Sequence, residues 1–232
     1  AAGDAGVGPR FAADPGVGWG SVPVEAATRD MYGGRRRGDN LFSSRLVCLD
    51  ARTGERIWHY QLIHHDIWDW DLPTAPILVD INVDGRSIKA VAQITKQAWV
   101  YVFDRETGEP VWPIEELPVP QSDVLGEKTS PTQPHPTKPL PFDRQGFSED
   151  DLIDFTPELR AQALELVQSY RMGPIFTPPS VVNGPDGTRG TLMTPNAIGG
   201  GNWEGGAGDP ETGVRYVDRT RAVGGQGGEP GG

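Results

Sequence analysis

Cysteine and long apolar runs are almost absent from this chain of 232 residues. Cys48 is the only cysteine, so an intramolecular disulfide is excluded and the redox compartment stays undetermined. No stretch reaches the roughly 18 consecutive apolar residues that a transmembrane helix requires. We therefore expect no transmembrane segment in this chain.

Positive charge is also scarce. Lys and Arg number 21 against 32 Asp and Glu, which gives a formal net charge of -11 at pH 7. Nucleic-acid binding requires a basic surface, so we expect no nucleic-acid partner. The densest basic run is "GRRRG" at residues 34–38, and we interpret it as a solvated turn.

Neither end of the sequence has the features of a targeting segment. The first eleven residues, "AAGDAGVGPRF", lack a Met, a basic region and an apolar region, so we do not expect a signal peptide there. The final "GGQGGEPGG" is typical of a flexible tail, which we assign to residues 219–232. We interpret the sequence as a fragment from within a longer chain.

Glycine and proline, in contrast, are abundant, with 31 Gly and 22 Pro. This composition indicates many turns between short elements, which favours an all-β protein over a helical bundle.

An internal repeat supports that fold class. "LVCLDARTGERIW" (residues 46–58) and "VYVFDRETGEPVW" (residues 100–112) match closely. "GAGDPETGVRYV" (residues 206–217) is a third copy, and "FAADPGVGW" (residues 11–19) is interpreted as a degenerate fourth.

Each copy predicts a β-hairpin, because the aspartate can begin an Asx-type turn and the glycine can supply a positive φ. The first two aspartates are 54 residues apart, about the span of a four-stranded propeller blade, and the next interval of 105 residues must carry an insertion. We expect adjacent antiparallel sheets, with Trp58 and Trp112 at equivalent positions between blades. The aspartate–glycine pairs are Asp50 with Gly54, Asp104 with Gly108, and Asp209 with Gly213.

The insertion, residues 113–172, is predicted to be a Pro-rich loop followed by a helix. Residues 113–141 are expected to be extended and without regular structure. Thr156 is a plausible N-cap, and Pro157 suits the first helical position. We predict a helix from about Pro157 to Arg171.

The segment "HHDIWDWD" (residues 64–71) concentrates histidine, aspartate and tryptophan, and three interpretations are open: a structural turn, a metal site or an acid–base site. Adjacent histidines in a strand point to opposite faces, which disfavours zinc, and carboxylates suit a harder cation better. An acid–base site needs a partner elsewhere, and Lys96 lies 27 residues after Asp69.

Two long runs resemble the pyrroloquinoline quinone (PQQ)-dependent dehydrogenases, most of all the membrane-type glucose dehydrogenase branch. They are "GDNLFSSRLVCLDARTGERIWHYQLIHHDIWDWDLPTAPILVDI" and "AQITKQAWVYVFDRETGEPVWPIEELPVPQSDVLGEKTSPTQP". "IFTPPS" (residues 175–180) and "GGGNWEGGAGDPETG" (residues 199–213) are similar to later segments of that family. The resemblance implies that residues 1–232 form a partial β-propeller of about three to four blades out of eight.

The same resemblance implies roles for individual residues. Asp69 would act as general base on the substrate hydroxyl and would help to bind a divalent cation, either calcium or magnesium. Lys96 would contact the quinone oxygens of the cofactor. Asn202 and Trp203 would line the cofactor pocket.

These residue types suit alcohol oxidation by a quinone that carries three carboxylates. A lysine against a quinone oxygen stabilises the negative charge that arrives with hydride, and a positioned base contributes roughly 10²–10⁴-fold. Asp69 and Lys96 are therefore expected within about 10 Å of one another, with room for one small ligand between them. Where some relatives carry an asparagine ligand to calcium, this chain has Glu25 or Ala26.

The resemblance implies a periplasmic quinoprotein dehydrogenase that oxidises an alcohol or sugar and passes electrons to a quinone or cytochrome. The isolated fragment is expected to be inactive. A cofactor-free propeller scaffold or binding module is the alternative, and it explains the repeats equally well. It does not explain the spacing of Asp69 and Lys96, so we favour descent from the enzyme.

Overall fold

The computed structural model describes residues 5–7, 10–28, 31–184, 187–209, 211 and 214–228. Within them the chain is mostly strand, with one α-helix, α1 (Pro157–Val167), and two 3₁₀ turns, Gly33–Arg35 and Glu149–Asp151. None of the described helices combines the length and apolar character needed to span a membrane. The strands are β1 (Ala5–Val7), β2 (Ala12–Asp14), β3 (Trp19–Ala27), β4 (Arg45–Asp50), β5 (Arg56–Gln61), β6 (Ile77–Val83), β7 (Arg86–Ile94), β8 (Val100–Asp104), β9 (Ile114–Pro118), β10 (Thr132–Pro136), β11 (Ser180–Val181), β12 (Thr191–Met193), β13 (Gly206–Gly208), β14 (Arg215–Val217) and β15 (Gly224–Gly228).

Two antiparallel sheets form the centre of the fold. The first has the order β1-β3-β4-β5, with β2 also paired to β3. The second has the order β6-β7-β8 and is extended by a bridge between Phe103 and Pro110. Alternate side chains of the strands enter the core, as Leu46 and Cys48 do from β4, and burial raises the pKa of the Cys48 thiol to about 11.

The repeated aspartates start turns as predicted. Oδ1 of Asp50 accepts hydrogen bonds from the backbone N–H groups of Arg52 (2.8 Å) and Thr53 (2.9 Å), and Gly54 closes the turn at φ +74°. Asp104 makes the same pair of bonds in the second copy, where Gly108 has φ +78°. The turn is therefore set by the sequence of each repeat.

The remaining two copies are hairpins as well. In the third, β13 pairs antiparallel with β14, and Oδ1 of Asp209 accepts from the N–H of Glu211 at 2.9 Å. Gly213, predicted to supply the positive φ, lies outside the described residues. In the degenerate copy, β2 and β3 flank a turn in which Gly18 has φ +74°.

The prediction that residues 113–141 lack regular structure is wrong for part of that range, because β9 and β10 form an antiparallel pair. The two-stranded sheet tolerates the prolines of β10, since a strand with a free edge need not donate every N–H. Tertiary contacts fix the pair: Tyr101 Oη donates to the carbonyl oxygen of Pro134 at 2.8 Å, and the buried Gln133 side chain bonds the backbone N–H and carbonyl of His64.

The inserted helix begins where the sequence predicts. Oγ1 of Thr156 accepts from the N–H of Leu159 at 3.3 Å, and Pro157 occupies the first turn. The helix ends at Val167, four residues before the predicted end at Arg171. Further along, β15, from the segment that we predict to be a tail, pairs antiparallel with β12 and parallel with β11.

Trp58 joins the first central sheet to the second. Its Nε1 donates to the carbonyl oxygen of Arg105 at 3.0 Å, and its indole covers Gly108 so closely that a Cβ there would lie 2.6 Å from Trp58 Cγ. Trp112, at the matching position of the second repeat, is half-buried. An all-β fold with one inserted helix, as predicted, is confirmed.

We expect Gly108→Ala to destabilise the protein more than Gly54→Ala does. Both glycines have positive φ, so either alanine costs about 1–2 kcal/mol of backbone strain. Only the Cβ at position 108 would meet the Trp58 ring, which adds about 1–3 kcal/mol of overpacking, whereas nothing lies within 4 Å of a Cβ at position 54. Urea unfolding measures both free energies, and equal losses would contradict this packing of Trp58.

Candidate active site

Residues 62–76 connect β5 to β6, and most of this connection lies in the interior. Trp68 and Trp70 stack with ring centroids 5.7 Å apart, and Phe176 meets both rings edge-on. Trp68 Nε1 donates to the carbonyl oxygen of Thr177 at 3.0 Å, and Trp70 Nε1 donates to that of Asn196 at 3.1 Å. The segment is thereby fixed to parts of the chain more than a hundred residues away.

The carboxylate of Asp66 lies inside this connection and is only 1% exposed. Its Oδ1 accepts from the backbone N–H of Trp68 and its Oδ2 from that of Trp70, each at 2.9 Å. The guanidinium of Arg36 donates to the carbonyl oxygen of the same residue. Burial raises the pKa of Asp66 to about 6, because desolvation outweighs the stabilising N–H of Trp68 and the charge of Arg36.

Asp69 is placed beside Lys96 by an unusual backbone conformation. Its φ of +60° lies in the left-handed region, which aspartate tolerates better than most residues. Lys96 Nζ donates to the carbonyl oxygen of Asp69 at 2.8 Å and lies 3.4 Å from its Oδ2. The predicted proximity of the two residues is confirmed. The prediction of room for a small ligand between them is wrong, because Lys96 Nζ contacts Asp69 directly.

Lys96 follows β7, and its side chain is only 8% exposed. Besides Asp69, it forms an ion pair with the carboxylate of Asp71. Burial disfavours the ammonium form, but the charge of Asp71, with smaller contributions from Asp69 and Asp66, outweighs it and raises the pKa of Lys96. Lys96 is therefore a buried cation in an acidic surrounding.

The glycine-rich run at residues 199–201 packs on the lysine. A Cβ at Gly199, which has φ +92°, would lie 2.4 Å from Lys96 Cγ. The N–H of Gly200 donates to the carbonyl oxygen of Lys96 at 2.7 Å. Glycine is needed here because the two backbones approach more closely than a side chain would allow.

The same loop carries Asn202 and Trp203. Asn202 Nδ2 donates to the carbonyl oxygen of Ile198 at 2.6 Å, and its Oδ1 accepts from the N–H of Trp203. The Trp203 side chain is 63% exposed. The loop contacts Lys96 through Gly199 and Gly200, and the pocket-lining role of Asn202 and Trp203 stays a prediction.

Glu25, from β3, lies within electrostatic range of the pair. Burial raises the pKa of its carboxyl, the negative charge of Asp71 raises it further, and Lys96 opposes both. Ala26 has no ionisable group, so Glu25 is the residue of this stretch that brings an ionisable oxygen toward the site.

The histidines of the motif have separate structural contacts. His64 Nε2 contacts Oε1 of Glu116 at 2.9 Å, whereas the ring nitrogens of His65 contact the carbonyl oxygens of Gly38 (2.6 Å) and Gly33 (3.1 Å). Across the part of the chain that the structure describes, no three His, Cys, Asp or Glu side chains are grouped to hold a metal ion. The described residues therefore do not form a complete cation site.

Sequence reasoning missed Asp71 and Asp66. Asp71 is the ion-pair partner of Lys96, and its position two residues after Asp69 was the only signal for it. Asp66 precedes Trp68 by two residues, the spacing of an Asx turn, and this local pattern could have indicated that its carboxylate bonds to the backbone.

Known proteins that resemble this chain identify its family. A family model described as the beta-propeller domain of glucose/ethanol/alcohol dehydrogenases (PQQ) matches residues 2–225. Quinoprotein glucose dehydrogenase of Gluconobacter oxydans (strain 621H) is 35% identical over 205 residues, covering 85% of this chain and 24% of that protein. Quinate/shikimate dehydrogenase (quinone) of Acinetobacter baylyi is 33% identical over 210 residues, covering 90% and 25%.

The solved structure of quinohemoprotein alcohol dehydrogenase ADHIIG from Pseudomonas putida HK5 has a similar fold. The TM-score is 0.56 at 25% identity, and the match covers 92% of this chain and 25% of that one. The predicted family and the predicted partial propeller are confirmed. The chain spans about a quarter of the length of these relatives.

We expect Asp66 to make stability depend on pH with a distinctive sign. A carboxyl whose pKa rises from 3.8 to about 6 on folding contributes most to stability at low pH, and this contribution is lost as the pH rises through 6. The difference in unfolding free energy between the natural protein and Asp66→Asn should therefore fall between about pH 4 and pH 7. Urea unfolding at several pH values measures it.

Asp50→Asn is the matched control. Hydrogen bonds from the backbone N–H groups of Thr53 and Arg52 lower the pKa of Asp50, so the corresponding difference should rise with pH. A pH-independent difference for Asp66→Asn would mean that its carboxyl titrates normally in the folded protein.

Proposed function

Because the chain belongs to the PQQ-dependent glucose/ethanol/alcohol dehydrogenase β-propeller family, we propose that it supplies part of the active site of a dehydrogenase that oxidises an alcohol or sugar hydroxyl. The relatives named above are glucose, quinate/shikimate and alcohol dehydrogenases, which supports an oxidoreductase acting on hydroxyl groups. The residues that carry the chemistry are Asp69 and Lys96.

One observation carries this proposal: the buried Lys96 ammonium touches both the backbone and the carboxylate of Asp69. A carboxylate must be ionised to accept a proton, and a neighbouring cation stabilises that form. The Asp69 side chain keeps 26% of its surface exposed, so a substrate hydroxyl can reach it. Asp69 would take the hydroxyl proton as general base.

Lys96 is the residue of this site that would bind an anionic quinone. Its ammonium contacts the carbonyl oxygen of Asp69 and the carboxylates of Asp69 and Asp71, so a quinone or carboxylate oxygen would have to replace one of these acceptors. Pyrroloquinoline quinone, when bound, would supply the acceptor for the hydride that leaves the substrate carbon. Lys96 would hold positive charge beside it, and Asn202 and Trp203 would line the pocket.

The divalent cation, calcium or magnesium, has a weaker basis in this chain. Asp69 would be one ligand, but the carboxylates of Asp69 and Asp71 both contact Lys96, and Glu25 is the further acidic group within range. Since no group of three ligands is formed among the described residues, no step of the chemistry is assigned to the cation.

The proposal includes a periplasmic location and a quinone or cytochrome as electron acceptor. A relative named as a quinone-linked dehydrogenase and another named as a quinohemoprotein support these acceptors. A cofactor-free scaffold is the less favoured alternative, because it does not explain why Asp69 and Lys96 stand at the spacing found in the family.

Substitutions of Asp69 and Lys96 test the proposal, and they are made in the full-length protein that the gene encodes. Asp69→Asn removes the base and should lower kcat of dye-linked alcohol or sugar oxidation by roughly 10²–10⁴-fold. Lys96→Ala should lower kcat/KM by roughly 10²-fold and should weaken binding of added pyrroloquinoline quinone, measured by fluorescence titration.

Two surface variants serve as controls. Asp84, like Asp69, has a positive φ (+51°), but it is exposed in the turn between β6 and β7, so Asp84→Asn should leave kcat unchanged. Lys89 pairs with Glu106 at the surface, and Lys89→Ala should behave likewise. Full activity of Asp69→Asn on every alcohol and sugar that the natural protein oxidises would rule out Asp69 as the base.

A further inference from the structure

The buried carboxylate of Asp66 accepts hydrogen bonds from the backbone of the candidate site, at the N–H groups of Trp68 and Trp70. We propose that Asp66 is a positioning residue for Asp69, acting through the peptide group that joins Asp69 to Trp70. This inference rests on the proposed function, because it assigns Asp66 a task only if Asp69 is the base.

The peptide between Asp69 and Trp70 is held from both sides. It is not among the cis bonds of the described chain, so its C=O and N–H point in opposite directions. The carbonyl oxygen accepts from Lys96 Nζ at 2.8 Å, and the N–H donates to Asp66 Oδ2 at 2.9 Å. One rigid plane thus links the buried carboxylate to the buried ammonium.

The second oxygen of the carboxylate fixes the start of the same loop. Oδ1 of Asp66 accepts from the N–H of Trp68 at 2.9 Å, so both oxygens hold backbone on either side of Asp69. On the far side, Arg36 donates to the Asp66 carbonyl oxygen, and the residue is 1% exposed. Arg36 therefore fixes the backbone of Asp66, and the carboxylate of Asp66 in turn fixes the loop.

These bonds stabilise a conformation that the chain would otherwise disfavour. A φ of +60° at Asp69 crowds its Cβ against the backbone, so a free loop would relax toward negative φ. Relaxation would swing the Cα–Cβ bond and carry the Asp69 carboxylate away from Lys96. The direction of the base is thus determined by the two N–H groups that Asp66 holds.

The repeat turns provide a contrast within the same molecule. At Asp104 a single oxygen, Oδ1, accepts both N–H groups (2.8 and 3.2 Å) in an exposed turn. Asparagine keeps that oxygen and can replace aspartate there. At Asp66 each oxygen has its own N–H, so asparagine would set its NH₂ group against one of the two donors.

The test measures kcat and KM of Asp66→Asn in the protein as its gene encodes it, with Asp104→Asn as the matched control. We expect kcat per quinone-loaded site to fall by about 10- to 100-fold and KM to change by less than about threefold, as for a displaced base. The control should keep both parameters. Asp66→Ser, which removes the buried charge but retains one acceptor, is the second variant should the asparagine protein not fold.

A double variant separates positioning from a general structural role. If Asp66 and Lys96 act on the same peptide group, then Asp66→Asn should cost much less in a Lys96→Ala background than alone. Losses that multiply would show that Asp66 acts independently of that peptide, and this result overturns the inference.

The proposed function fails separately. Full activity of Asp69→Asn would show that Asp69 is not the base, and Asp66 would then have no base to position. Loss of activity in Asp69→Asn together with unchanged kcat in the folded Asp66→Asn or Asp66→Ser protein leaves the base in place and refutes only the positioning role.

Discussion

Lys96 carries its positive charge into an interior where only 8% of its side chain is exposed, and such a charge is stable only among opposite charges and hydrogen-bond acceptors. The carbonyl oxygen of Asp69 and the carboxylates of Asp69 and Asp71 supply them. Because these acceptors belong to the loop after β5, the lysine after β7 ties one central sheet to the other. The close approach of Gly199 completes the enclosure. The fold, the burial of Lys96 and the direction of Asp69 therefore depend on one another.

The parts of the molecule that were predictable are those governed by short-range chemistry. The Asp50 side chain forms the turn through hydrogen bonds that span three residues or fewer, and Gly54 has a φ that glycine readily adopts, so the repeat alone predicts the hairpin. The helix start at Thr156 and Pro157 is predictable for the same reason. Asp69 and Lys96, separated by 27 residues, were paired only through the family resemblance, since their contact depends on how two sheets pack.

Other features depend on contacts that the sequence does not reveal. The pairing of β9 with β10 is fixed by the buried Gln133 and by Tyr101, and these partners come from distant segments that override the prolines. The role of Asp71 likewise follows from where Lys96 enters the interior. The direct contact of Lys96 with Asp69, in place of the predicted gap, reflects the cost of leaving an ammonium ion without acceptors.

The central claim is that the Lys96 ammonium binds the loop carboxylates, and a double-mutant cycle in unfolding free energy between Lys96→Met and Asp71→Asn measures that interaction directly. Each single variant leaves the partner's charge or hydrogen-bonding group unmatched, whereas the double variant removes both charges. We predict a coupling free energy of about 1–3 kcal/mol, with the double variant less destabilised than the sum of the two single variants. Losses that add to within about 0.5 kcal/mol would show that no such interaction exists in the folded protein.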